Sequence, residues 1–68
     1  MSEMDQLIRM ANQIAENFSF YDDQVARTSD HLQKFWAPPM RQKLMTHAAS
    51  GGQGLSTAAL EAAGKLEH

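Results

Sequence analysis

The residues whose types come nearest to chemistry are His31 and His47, the adjacent acids Asp22 and Asp23, and the run Gly51-Gly52-Gln53-Gly54. A zinc site on a helix needs two histidines three or four positions apart, so that both imidazoles project from one face. His31 and His47 have no such neighbour. They read instead as a polar-face residue and a helix-end residue, the latter able to meet free carbonyls and the negative end of the helix dipole. Asp22 and Asp23 invite an acid-base or metal reading, but neighbouring helical positions diverge by roughly 100°. The positive end of a helix explains two acids at its start without any reaction. The glycine run has the glycine content of a phosphate loop and nothing else of it, because no strand precedes it and no Lys-Ser or Lys-Thr pair follows. It reads as a break between helices, with only unspecific anion-binding potential.

The chain contains no cysteine, which removes disulfides, thiolate nucleophiles and thiolate metal ligands together. An enzyme of this size would need a nucleophile beside a base, a paired carboxylate cleft or tightly spaced metal ligands. The sequence offers none of these, so it reads as non-catalytic, with no catalytic, metal-ligating or cofactor-binding residue of its own.

The elements that hold these residues are helical throughout. Met4, Leu7, Ile8, Ala11, Ile14, Ala15 and Phe18 recur at three-and-four spacing, which predicts a helix over 3–17, with Ser2 and Asp5 as a weak capping box. Residues 18–21 read as a turn whose rings Phe18, Phe20 and Tyr21 are buried. Val25, Thr28, Leu32, Phe35 and Trp36 predict a second helix over 22–36. Pro38 and Pro39 end it and suit the first turn of a third helix over 38–49, where a missing amide proton costs nothing. Gly51 stands where a helix C-terminus expects glycine. Ser56 caps a short fourth helix over 57–65, anchored by Leu60 among small alanines. The expected fold is therefore all-α, a small bundle of three helices plus a short C-terminal fourth, in one domain over 1–65. Residues 66–68 (Leu66, Glu67, His68) read as the start of an expression tag.

With 68 residues, six basic and eight acidic side chains and a net charge of −2, the chain has no basic stripe for nucleic acid. No apolar run approaches the roughly 18 residues of a membrane span, and a cytoplasmic location is the expectation. A chain this short buries only about 60% of its unfolded surface, so packing against a partner is the open route to extra stability. Five methionines suit an adaptable surface as well as a core.

The most distinctive stretch is Phe35-Trp36-Ala37-Pro38-Pro39-Met40-Arg41. Phe35 and Trp36 can close the core at a helix corner, with Met40 filling gaps. Trp36, Met40 and Arg41 are equally the residue types favoured in binding hot spots, and a rigid proline corner presents them at low ordering cost. Asn12 and Gln13 either bond a partner backbone or face water.

These two segments carry a resemblance. Leu7-Ile8-Arg9-Met10-Ala11-Asn12-Gln13-Ile14-Ala15, together with Asp30-His31-Leu32-Gln33-Lys34 running into the Phe35–Arg41 stretch, resembles the delta subunit of molybdenum-containing, NAD-dependent formate dehydrogenases. Gly52-Gln53-Gly54-Leu55, with Leu60 and Ala62, fits the same family's C-terminal pattern. Ala37 departs from it, since an acidic residue is expected there. The resemblance implies a cytoplasmic complex. Its catalytic alpha subunit holds molybdopterin guanine dinucleotide and iron-sulfur clusters, and other subunits carry FMN and further clusters and pass electrons to NAD. This chain would be an accessory partner of the alpha subunit, meeting it through Trp36, Met40, Arg41, Asn12 and Gln13. A free-standing adaptor or homodimer, and less directly a helix-turn-helix module, stay open as alternatives.

Overall fold

The computed structural model describes residues 2–67, and His68, the last residue of the expected tag remnant, lies outside them. Four helices make up the described fold: α1 (Glu3–Asn17), α2 (Gln24–Phe35), α3 (Pro38–Ala49) and α4 (Thr57–Gly64). The first starts as its sequence predicts. Ser2 Oγ accepts from the Asp5 amide at 3.1 Å while the Asp5 carboxylate accepts from the Ser2 amide at 3.4 Å, so aspartate completes a capping box usually closed by glutamate. Leu7, Ala11 and Ala15, one helical turn apart, form the buried edge of α1.

α2 begins two residues later than the sequence predicts, at Gln24, leaving Asp22 and Asp23 in the preceding turn. The Gln24 side chain donates to the Ala15 carbonyl at 2.8 Å, tying the start of α2 to α1. Thr28, Leu32 and Trp36 follow at four-residue steps and all three are buried. Thr28 is buried with its hydroxyl donating to the Gln24 carbonyl, so it leaves no unmet polar group in the core. Pro38 opens α3, and Gly51 and Gly52 close it. The Gly52 amide donates to the His47 carbonyl and the Gly51 amide to the Ala48 carbonyl, the paired bonds of a Schellman end. Both glycines hold positive φ, 114° and 63°, which side chains rarely adopt.

The fourth helix is not an appendage to a three-helix bundle. α4 packs against α1, α2 and α3, and its Ala59, Ala62 and Ala63 are all buried. Alanine allows this because it lets helix backbones approach closely. Leu60, expected as the anchor, is only half-buried and lies against Gly52. Leu66 closes the same core, and the Glu67 amide donates to the Gln33 side chain at 2.9 Å, so both residues are integrated in the fold.

An alanine-lined core is narrow, and this decides where the large rings go. Leu32 and Leu44 are the only large hydrophobes below 2% exposure among the described residues. Phe18 is half-buried, Tyr21 is 48% exposed and Phe20 is 93% exposed, which corrects the expectation of buried rings in the 18–21 turn. Phe35 is corrected likewise, at 73% exposed. It and Trp36 diverge around the helix axis, so only one can face the core, and Trp36 continues the Thr28–Leu32 row.

Candidate partner-binding surface

Of the five residues read as partner contacts, most are engaged within the chain. Trp36, 6% exposed, sits in the core cluster with Leu32 and Leu44. Arg41 reaches back across the proline corner: its Nη1 donates to the Trp36 carbonyl at 2.6 Å and to the Gln33 carbonyl at 3.2 Å. These are carbonyls at the C-terminal end of α2, where a cation also meets the negative end of the helix dipole. Its Nε is buried with no hydrogen-bond partner. Met40 is half-buried and packs on the core cluster.

Asn12 performs a long-range link that no local pattern announces. Its side-chain nitrogen donates to the Gly54 carbonyl at 2.9 Å, and its side-chain oxygen accepts from the Ser56 amide at 2.8 Å. One side chain thus satisfies both sides of the glycine loop leading into α4. His47 holds the same loop from α3, with Nε2 2.8 Å from the Gln53 carbonyl, a contact in which the ring nitrogen donates. Gln13, exposed, donates to Asn17 along its own helix at 3.1 Å.

The aromatic residues form the other notable surface. Phe18 meets Tyr21 at 6.2 Å between ring centroids and His31 at 6.1 Å, and His31 meets Phe35 at 4.7 Å. Arg27 lies over the Tyr21 ring at 3.9 Å while pairing with Asp23 at 2.6 Å. His31 is therefore part of a ring cluster rather than a plain polar-face residue. The sequence signal was present, since His31 and Phe35 are one turn apart and Phe18, Phe20 and Tyr21 crowd a single turn.

No group of three or more His, Cys, Asp or Glu side chains converges on a metal-sized site among the described residues. The groove between α1 and α3 is lined by Met4, Gln42, Lys43, Thr46, His47 and Ser50. Its two ionisable groups are engaged elsewhere, Lys43 with Glu3 and His47 with Gln53. No helix of the described residues is long and apolar enough to cross a membrane.

The fold and its surface define a small all-helical chain with a tightly bracketed interior and an exposed aromatic corner. The chain belongs to the family of NADH-dependent formate dehydrogenase delta subunits, FdsD, whose pattern matches residues 6–63 and so spans all four helices. Membership places it in a formate dehydrogenase complex, with other subunits of that complex as partners. No curated protein and no solved structure matches the chain.

Proposed function

We propose that this chain is a non-catalytic accessory subunit of a cytoplasmic NAD-dependent formate dehydrogenase, docking on the catalytic alpha subunit to support its assembly, stability or cofactor-loaded maturation. The observation that carries the reading is the family match across residues 6–63. Without cysteine the chain has no thiolate for an iron-sulfur cluster. In this reading the clusters, and with them molybdopterin guanine dinucleotide, FMN and NAD, are assigned to the other subunits. Trp36, Arg41 and Asn12 contribute by holding the proline corner and glycine loop in shape, while Gln13 and Met40 offer contact area beside them.

The physical basis of maturation is linkage. A subunit that binds the loaded, folded alpha chain more tightly than the empty one shifts the population toward the loaded form by the difference in affinity, and equal affinity shifts nothing. At a free concentration a hundred times its dissociation constant, the stabilisation is about 2.7 kcal/mol. The test is to purify the dehydrogenase from cells with and without this chain and measure molybdenum content, subunit association and formate-dependent NAD reduction. All three are expected to fall in its absence. Unchanged values would remove the accessory role.

A further inference from the structure

We infer that the α1–α2 corner, tipped by Phe20, Tyr21 and Phe35, is the knob by which this chain enters a concave apolar socket, edged by Lys or Arg, on a larger subunit of the dehydrogenase complex. The inference rests on the subunit reading above and deepens it by naming the contact surface. Soluble proteins tend to place their large rings in the interior. Here Phe20 and Phe35 stand 93% and 73% in water and Tyr21 48%, while the interior is lined with alanine. Phe18 and His31 link Tyr21 to Phe35 through ring contacts, so these two exposed rings belong to one patch, and Phe20 joins it only as the chain neighbour of Tyr21.

Size and charge select the occupant. Taking about 200 Å² for each aromatic side chain, the three rings leave roughly 400 Å² of apolar surface in water. Two copies pressed patch to patch would bury about 800 Å² in total, short of the roughly 1,200 Å² at the lower end of stable interfaces. A ring standing as clear as Phe20 is convex, and a convex corner cannot wrap its own copy. A concave partner can cover the rings and the polar rim together. At that rim Arg27 is paired with Asp23 and Lys34 with Asp30, whereas Asp22 makes no ion pair among the described residues. The surplus charge is negative, which calls for a basic edge on the socket.

The experiment purifies the dehydrogenase assembled with this chain, strips the chain off, and titrates the loaded complex with the full chain and its variants. Buried aromatic anchors dominate binding energies, so Phe20→Ser with Phe35→Ser is expected to weaken Kd by about a hundredfold or more. The melting temperature should change little, because both rings are already in water. Asp22→Lys should weaken binding and flatten its salt dependence, while Gln42→Ala on α3 should leave Kd unchanged. If the double variant binds within about threefold of wild type, the corner is not the contact, and the subunit reading stands. If the wild-type chain fails to bind the complex at all, the subunit reading falls with it. Sedimentation gives the remaining arm: a wild-type dimer that the double variant converts to monomer would assign the corner to a second copy and overturn the socket.

Discussion

Asn12→Ala separates a residue that builds the monomer from one that touches a partner. In the structure Asn12 makes two bonds to the glycine loop, donating to Gly54 and accepting from Ser56. Each net hydrogen bond contributes about 0.5–1.5 kcal/mol, and bonds near the surface fall in the lower half of that range, so losing both costs about 1–2 kcal/mol. A 68-residue chain has a total stability of only about 3–10 kcal/mol at typical values per residue. The loss is thus a sizeable share, and it should lower Tm by roughly 5–15 °C. Asn12→Asp keeps the acceptor for the Ser56 amide, at a helix N-terminus where negative charge is favourable, but loses the donor to Gly54. It should fall between wild type and Asn12→Ala. Thermal unfolding followed by far-ultraviolet circular dichroism gives the ranking, and amide hydrogen exchange at Ser56 reports the local opening. An Asn12→Ala chain that melts with the wild type yet binds the dehydrogenase poorly would refute the bracket and return Asn12 to the partner interface.

Three further outcomes follow from the same geometry. Arg41→Ala removes charge-assisted bonds to the Gln33 and Trp36 carbonyls, and it should destabilise by about 1.5–3 kcal/mol in urea unfolding; an unchanged midpoint would show that the proline corner holds without it. Gly52→Ala forces a side chain into positive φ and against the Leu60 side chain, and the combined strain should cost about 2–4 kcal/mol; wild-type stability would mean the Schellman end can rearrange freely. Lys43→Ala breaks an exposed pair with Glu3 and should change stability by less than about 0.5 kcal/mol, with little salt dependence; a loss above 1 kcal/mol would reveal a wider charge network.

Helix existence was legible from residues three and four apart, and so were three of the four helix starts. Ser2 with Asp5, Pro38 with Pro39, and Ser56 each mark a start through a bond or a fixed φ that involves only near neighbours. The start of α2 was misplaced because Asp22 and Asp23 suit a helix N-terminus by charge, whereas the Asp23 side chain makes no cap bond and pairs with Arg27 instead. The roles of Asn12 and Arg41 were harder to read. An asparagine that reaches a loop more than forty residues away looks, in sequence, like one waiting for a partner.

What the sequence alone determined was the local order: four helices, their caps, the glycine break, the absence of thiols, and the segments that place the chain among the delta subunits. Those features depend on backbone preferences and spacing within a few residues. Only the tertiary structure decided which apolar residues went inside. α4 with its alanines took the centre, the interior became too narrow for more large rings, and Trp36 filled it while Phe20 and Phe35 remained in water. That choice depends on volume shared among all four helices, which no single stretch of chain encodes.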